Sequence, residues 1–174
     1  MNIAILGAGK IATTMATTLQ PLKGITCYAV ASRDKKRAQA FADKFGFSVA
    51  YGSYIDMLND ENVDLVYIAT PHSHHYEHIK MCLDHYKNVL CEKAFTANAE
   101  QAEEVIKIAE ERGLLLSEAI WTRYMPMRET INSVLQRLLT KWLNRFSIIY
   151  KKDIRTVIRM SFFRMEIQFP RLFL

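Results

Sequence analysis

The sequence predicts an α/β fold, a doubly wound parallel sheet of the Rossmann type with helices on both faces. Two observations lead to this prediction. Short apolar runs alternate with amphipathic segments of helical period as far as about residue 119, and such alternation is typical of parallel strands joined by helices. In addition, the first apolar run, residues 1–6, passes directly into a glycine-rich turn and then into a helix-like segment.

The remaining elements follow from periodicity and from residues that end helices. The apolar runs predict six strands, over residues 1–6, 25–31, 48–50, 63–69, 88–91 and 114–117. Between them, helices are predicted over residues 11–20, 34–46 and 75–86, from residue 53 onward, and over 98–113. Asp34, Ser53 and Asn98 are side chains that cap helix N-termini, whereas Gly46 and Gly113 suit helix C-termini.

The turn after the first strand has the spacing Gly7-x-Gly9-x-x-Ala12. In a dinucleotide-binding fold the first glycine permits the tight turn, the second lets the backbone approach the pyrophosphate, and the third small residue lets helix pack on strand. The phosphates then lie at a helix N-terminus, where free N–H groups and the helix dipole favour negative charge. The motif predicts a dinucleotide site; the alternative is a strand–loop–helix turn without a ligand.

The end of the second strand bears on which dinucleotide binds. NAD sites usually place Asp or Glu there to bind the ribose 2′-hydroxyl, but this chain has Ser32 and Arg33, with Lys36 and Arg37 one helical turn on. Guanidinium groups match phosphate geometry, so this pattern favours NADP, with NAD as the second candidate. The alternative is a solvated basic first turn in which Asp34 is merely a helix cap.

Two clusters follow the later strands, at residues 70–75 (TPHSHH) and 92–94 (EKA). The three histidines of the first cluster lack Cys or carboxylate partners at ligand spacing, so no metal site is predicted. Lys93 directly follows a buried strand, where its ammonium could lie beside a nicotinamide, bind the substrate oxygen and pass a proton. Alternatively, Lys93 is a surface lysine whose stem covers apolar surface.

Five ordered motifs together carry a family resemblance: GAGKIA at 7–12, ASR at 31–33, ATPxxxH at 69–75, EKA at 92–94 and SEAIWTRYMP at 117–126. Over about residues 1–136 the chain resembles the N-terminal domain of the glucose–fructose oxidoreductase / inositol dehydrogenase family, and most of all its dihydrodiol dehydrogenase branch. The resemblance implies hydride transfer between NADP(H) and a CH–OH group of a sugar-like or diol substrate. The rival hypothesis is a nucleotide-binding module or sensor without catalysis.

The resemblance also implies roles for individual residues. The residues expected to bind the cofactor are Gly7, Gly9, Lys10, Ile11, Ser32, Arg33, Arg37, Thr70, Pro71, His72, His75, Glu92, Lys93, Trp121 and Arg123. The first four would line the pyrophosphate loop, the next three would surround the 2′-phosphate, and the 70–75 cluster would flank the nicotinamide ribose. Lys93 would be the catalytic lysine, and Trp121 and Arg123 would close the other side. Ala94 replaces the family's usual proline, which removes a fixed φ after Lys93.

The chain is expected to divide into a dinucleotide-binding domain at 1–120, a linker helix at 121–136 and an atypical tail at 137–174. Of its 23 basic and 18 acidic residues, the tail holds 9 and 2, and residues 1–136 hold 14 and 16. In the family a second domain supplies the substrate pocket, a further catalytic acid and the dimer interface, and nothing after Gln136 resembles it. We therefore expect a truncated, inactive chain that self-associates through uncovered apolar surface.

The tail has apolar residues at helical spacing over 138–150 and an alternating, strand-like pattern over 163–169. Three interpretations compete: a frameshift or premature end, a native appendage that packs on the domain, and a basic helix at a membrane surface, of which membrane binding is the least favoured. Nucleic acid is not expected as a partner, because aromatic and basic residues fall on opposite faces.

The cysteines and the hydropathy of the chain indicate its cellular compartment. Cys27, Cys82 and Cys91 lie in apolar segments without metal-type spacing, which predicts reduced, buried thiols. No apolar run reaches the roughly 20 residues that span a bilayer, and the N-terminus does not have the pattern of a signal peptide. A cytoplasmic location is expected.

Overall fold

A computed structural model describes residues 1–125 and 127–150 of the chain. Residues 1–120 form one compact unit, and a second unit begins at Trp121. The first unit is a parallel six-stranded sheet in the order β3-β2-β1-β4-β5-β6. The strands are β1 (Asn2–Leu6), β2 (Thr26–Ala31), β3 (Val49–Tyr51), β4 (Leu65–Ile68), β5 (Asn88–Glu92) and β6 (Leu116–Ala119). The predicted fold class is confirmed.

Helices connect the strands where the sequence predicts them. They are α1 (Lys10–Leu19), α2 (Lys35–Phe45), α3 (Tyr54–Leu58), α4 (His75–Asp84) and α5 (Ala99–Arg112). The side chains of Asp34, Ser53 and Asn98 each accept a backbone N–H from the first turn of the helix that follows. Gly46 and Gly113 end α2 and α5 in the left-handed conformation, with φ of 72° and 66°. The predicted caps are therefore confirmed.

Several element boundaries differ from the prediction by one or two residues, and two of these differences have clear local reasons. The last strand begins at Leu116 rather than at Leu114, because the Leu114 N–H donates to the Ala109 carbonyl at 2.9 Å in the turn that ends α5. The strand predicted over 63–69 is limited to β4, because the Val63 N–H donates to Asp60 in a turn. A short 3₁₀ turn, His72–His74, which periodicity did not indicate, precedes α4.

The central strands are buried on both faces of the sheet. Along β1, Ile5 packs in one apolar cluster with Tyr67 and Phe41, whereas Leu6 packs in another with Ile68 and other residues on the opposite face. Alternate side chains of a strand point to opposite faces, so apolar residues at consecutive positions indicate a strand covered on both sides. This double burial explains why the strands appear in the sequence as continuous apolar runs.

Backbone hydrogen bonds bring the loops after β1, β2, β3 and β4 together at one edge of the sheet. The Gly7 N–H donates to the Ala31 carbonyl at 2.8 Å, and the Ala69 N–H donates to the Leu6 carbonyl at 2.9 Å. The Ser32 N–H donates to the Tyr51 carbonyl at 3.1 Å. Ligands of open α/β sheets bind at this edge, where the carboxyl ends of the strands meet.

The second unit contains a 3₁₀ turn, Trp121–Tyr124, and the helix α6, Met127–Tyr150. The helical periodicity predicted over 138–150 is therefore confirmed for the backbone, while the predicted strand at 163–169 lies outside the described residues. Ile131, Leu135 and Leu138 on α6 are each more than half exposed. In the described part of the chain, the helices are too short or too polar to cross a bilayer.

Candidate dinucleotide-binding site

Gly7 begins the turn between β1 and α1 with a backbone that strongly disfavours other residues. Its φ is +105°, and a Cβ built there would lie 3.1 Å from the Ala69 carbonyl oxygen and 3.2 Å from the Thr70 Cγ2. Side chains rarely adopt such a φ, and the nearest of these neighbours belong to the backbone at the end of β4. The glycine therefore lets the turn pass close to the neighbouring strand.

Gly9 is the N-cap of α1, in extended conformation and with no side-chain cap. The first turn of α1 contains no acidic residue, and Ala12 is fully buried in the cluster that contains Ile5. The backbone can therefore approach a ligand closely at Gly9, while Ala12 lets the helix pack on the sheet. A helix N-terminus of this kind favours a bound anion such as a pyrophosphate.

A cavity of about 490 Å³ lies over this turn. It is lined by Gly7, Ala8, Gly9, Ser32, Arg33, Asp34, Arg37, Tyr54, Ala69, Thr70 and Pro71. Of these residues, two carry guanidinium groups and one a carboxylate. The glycine turn and the basic residues after β2, which the sequence identified separately, thus share one cavity. Lys10 and Ile11 are exposed in the first turn of α1.

The residues after β2 are positioned by hydrogen bonds to their own loop and to the glycine turn. The Arg37 Nε donates to the Ala8 carbonyl at 3.1 Å, which holds that guanidinium beside the cavity. The Asp34 carboxylate accepts the Lys36 N–H at 2.9 Å, so Asp34 is a helix cap, as one interpretation of the sequence held. Ser32 is buried and Arg33 is exposed. This arrangement suits a phosphate better than a ribose hydroxyl.

His75 has no exposed surface and contacts the cavity-lining residue Thr70. Its Nδ1 is 2.7 Å from the Ala94 carbonyl oxygen, and its Nε2 is 2.9 Å from the Thr70 carbonyl oxygen. His75 thus links the loops that follow β4 and β5, instead of lining the cavity as Thr70 and Pro71 do. His72 is exposed, with its ring centre 5.5 Å from that of His75.

Lys93 is exposed at the end of β5, and the preceding Glu92 is buried. The Tyr67 hydroxyl donates a short hydrogen bond to the Glu92 carboxylate, which also lies 3.3 Å from the backbone N–H of Lys93. Burial and this carboxylate raise the pKa of Tyr67 well above its ordinary value, so its hydroxyl stays protonated. Two residues on, the Phe95 N–H donates to the Glu118 carboxylate at 2.8 Å. The backbone around Lys93 is therefore held on both sides despite the absence of the family's proline.

Sequence reasoning missed Tyr67, Glu118 and Tyr54 in this region. Tyr67 is the one hydroxyl-bearing residue of an otherwise apolar strand, and Glu118 is the only acid of β6. Tyr67 lies in a buried strand and Glu118 in a partly buried one. A polar group that is shielded from water needs a partner, and that requirement could have indicated both residues. Trp121 is 62% exposed in the second unit, and the side chain of Arg123 lies outside the described residues. Within the described residues, His, Cys, Asp and Glu form no group of three that could hold a metal.

The strand–glycine turn–helix unit and the cavity shared with Arg33 and Arg37 define a dinucleotide-binding domain of the Rossmann type. Comparison with known proteins gives the same class. The sequence profile of the oxidoreductase family with an NAD-binding Rossmann fold, Gfo/Idh/MocA, matches residues 1–120. The chain belongs to this family, and the resemblance predicted from its motifs is confirmed.

Several relatives are similar to the chain at the level of sequence. The trans-1,2-dihydrobenzene-1,2-diol dehydrogenase of Mus musculus is 42% identical over 133 residues, which make up 75% of this chain and 40% of that protein. The D-xylose 1-dehydrogenase (NADP(+)) of Hypocrea jecorina is 44% identical over 107 residues, or 60% of this chain and 27% of that protein. The chain thus spans about 40% of the length of the diol dehydrogenases that it matches.

A solved structure with a similar fold contains a nucleotide. The 3-ketoreductase from Actinomadura kijaniata in complex with NADP superposes with a TM-score of 0.74 at 31% identity. The match covers 79% of this chain and 44% of that chain.

Proposed function

We propose that this chain binds NADP(H) and forms the nucleotide-binding part of an oxidoreductase that acts on CH–OH groups of diol or sugar-like substrates. The observation that carries the proposal is the single cavity that joins the glycine turn to Arg33 and Arg37. Relatives that oxidise a diol or D-xylose, and a 3-ketoreductase in complex with NADP, support the substrate class and the cofactor.

In this proposal, the phosphates divide between two parts of the cavity. The pyrophosphate would lie at Gly7, Gly9 and the N-terminus of α1, which includes Lys10 and Ile11. The 2′-phosphate would lie against Arg33 and Arg37, with the Ser32 hydroxyl beside them. Arg37 uses one of its five N–H donors on the Ala8 carbonyl, so the guanidinium can bind the glycine turn and the phosphate together.

The chemistry would take place beside Lys93. NADPH, when bound, supplies a hydride, and the nicotinamide ribose would lie near Thr70, Pro71 and His72. The Lys93 Nζ would bind the substrate oxygen and hold or release a proton there. Buried Glu92 would fix the backbone at Lys93, and buried His75 would fix the two loops from below. Trp121 and Arg123 stay in the proposal on the strength of the family resemblance alone.

We further propose that these 174 residues by themselves bind the cofactor but do not turn over substrate. Holding a substrate in reactive geometry can lower a barrier by about 7–11 kcal/mol, and a second positioned acid or base adds a further factor of about 10²–10⁴. The matched region supplies Lys93 but corresponds to less than half of each relative. Steady-state NADPH oxidation or NADP⁺ reduction by the purified chain, with a panel of diols and polyols, tests this: measurable turnover would contradict it.

Nucleotide binding is tested by titrating the chain with NADPH and NADH while following nicotinamide fluorescence. A hydrogen bond to a charged group contributes about 1.5–3 kcal/mol, which corresponds to roughly 10- to 150-fold in affinity. We therefore expect NADPH to bind at least about tenfold more tightly than NADH. Arg33→Ala and Arg37→Ala should remove most of that preference, whereas Lys44→Ala, which removes one positive charge at the far end of α2, should preserve it. Equal affinities in the unmodified chain would refute the phosphate assignment.

A further inference from the structure

One aromatic side chain lines the cavity and has no part in the phosphate contacts proposed above. Among the described residues that line it, Tyr54 is the only aromatic one. Tyr54 is the first residue of α3, whose N-terminus is capped by the Ser53 hydroxyl. Its ring is half-buried and packs partly against the core.

The pairing of β2 with β3 explains why Tyr54 reaches this cavity. Ala31 pairs with Tyr51, and the Ser32 N–H donates to the Tyr51 carbonyl at 3.1 Å. The loop that leads into α3 therefore starts beside the end of β2, and Tyr54 lines the same cavity as Arg33.

A histidine from another helix packs against the Tyr54 ring. The ring centres of Tyr54 and His78 are 5.2 Å apart and their planes meet at 77°, an edge-to-face contact. The His78 Nδ1 lies 2.9 Å from the Thr70 hydroxyl, which anchors the imidazole to the loop after β4. Burial, followed by the charges of His74, His75 and Arg33, lowers the pKa of His78 to about 4. The side chain next to Tyr54 is therefore neutral at physiological pH.

The covalent structure of NADP would place its base close to the 2′-phosphate site proposed at Arg33. In NADP the 2′-phosphate and the adenine are attached to adjacent carbons of one ribose, so a phosphate held by Arg33 brings the base within a few bond lengths of that side chain. A nucleobase binds well on an aromatic face. We propose that Tyr54 is the platform on which the adenine stacks, which makes it a specificity-determining residue of the site. This inference rests on the proposed NADP(H) binding.

Two features distinguish such a platform from a tyrosine that only fills space. Tyr54 is only half-buried, and it lines the same cavity as Arg33 and Arg37. Moreover, its contacts on the protein side come from α4 and the core, which fixes the ring before a ligand arrives. A pre-oriented ring loses little conformational entropy when a base stacks on it.

The experiment compares two ligands that differ only in the base: 2′,5′-ADP and a methyl ribofuranoside carrying the same two phosphates. Dissociation constants are measured by calorimetry for the unmodified chain and for Tyr54→Phe, Tyr54→Leu and Tyr76→Leu. Tyr76, on α4, is a half-buried tyrosine outside the cavity lining and serves as the matched control. Loss of a stacking partner costs about 1–3 kcal/mol per base, or roughly 5- to 150-fold in affinity.

We expect Tyr54→Leu to weaken 2′,5′-ADP binding by about tenfold or more and to leave the base-free bisphosphate unchanged. Tyr54→Phe and Tyr76→Leu should bind both ligands as the unmodified chain does. If Tyr54→Leu affects both ligands equally or neither of them, while the unmodified chain still prefers NADPH, the platform is refuted and the proposed function stands. If the unmodified chain binds neither ligand nor NADPH, both proposals are refuted. Thermal unfolding of each variant confirms that it is folded. If Tyr54→Leu is not folded, Tyr54→Met takes its place, with the same loss expected for 2′,5′-ADP and the same unchanged affinity for the base-free bisphosphate.

Discussion

Glycine-to-alanine substitutions in the glycine turn should distinguish its role in folding from its role in nucleotide binding. Alanine at Gly7 would require a side chain at φ of +105° and would place Cβ 3.1 Å from the Ala69 carbonyl oxygen and 3.2 Å from its carbon. Ala69 cannot move away easily, because its N–H donates to Leu6 in the adjacent strand. Gly46 offers a matched case, since its φ is +72° but no atom outside its chain neighbours lies within 4 Å.

The expected magnitudes follow from this comparison. A left-handed backbone costs a non-glycine residue about 1–2 kcal/mol, which is all that Gly46→Ala should lose in free energy of unfolding. Gly7→Ala should lose this amount and, in addition, the roughly 1–3 kcal/mol of an overpacked site. The total of about 2–5 kcal/mol is a large part of the stability of about 5–15 kcal/mol expected for a domain.

Urea unfolding, followed by circular dichroism, measures both variants against the unmodified chain. Gly9→Ala completes the series, because its Cβ would lie 4.0 Å from the nearest atom and its φ of −97° suits any residue. We expect Gly9→Ala to keep its stability and to lose affinity for NADPH, since its methyl group occupies the place where the pyrophosphate approaches. The steric reasoning is wrong if Gly7→Ala is no less stable than Gly46→Ala.

Two further predictions concern buried polar contacts. The pKa of His78 is about 4 in the folded chain, against an ordinary value of 6.5, so the unfolded chain binds the extra proton first. The contribution of His78 to the free energy of unfolding should be fully present above pH 6.5 and fall by about 3 kcal/mol as the pH drops towards 4. In pH-dependent urea unfolding, His78→Gln should therefore lose less stability than the unmodified chain over this range. The groups around His78 are Thr70, Tyr54, His74, His75 and Arg33. Tyr67→Phe deprives the buried Glu92 carboxylate of a donor and should lower the free energy of unfolding by about 1–3 kcal/mol. Tyr76→Phe, which removes a hydroxyl from an exposed pair, should leave the unfolding temperature unchanged. Equal losses in the two variants would contradict the reasoning.

The sequence predicted the fold well because its signals are local. Apolar runs, helix caps such as Asp34 and C-terminal glycines such as Gly46 each act within a few residues, and the structure contains them all. The boundary at Leu114 was misplaced because the hydrogen bond to Ala109 belongs to the helix end, while the side chain continues the apolar run. Periodicity reports burial, and it does not show which backbone bonds a residue makes.

The candidate site was predictable only in part, for the same physical reason. The glycine turn and Arg33 have signatures within a short stretch of chain, and the structure places them at one cavity. The contact of Tyr54 with His78 and the bond of Tyr67 to Glu92 join residues that lie more than 20 positions apart. Such pairs arise from strand order and helix packing, which a single sequence does not encode locally. The full burial of His75 likewise depends on the loops after β4 and β5, which its ring contacts.

The hydrogen bond from Arg37 to the Ala8 carbonyl has a consequence for re-engineering the cofactor preference. In the proposed site, the residues that would discriminate between NADP and NAD occupy one short segment, 32–37, which could be exchanged as a whole without changing the sheet. Arg37, however, also tethers the glycine turn. An exchange that introduces an acid after β2 and removes Arg37 would release that tether, and the cost would appear in the affinity for both cofactors. Conversion to NAD therefore requires replacing Arg33 while retaining a donor at position 37. The cofactor preference would then change, while the hydrogen bond that holds the glycine turn would be kept.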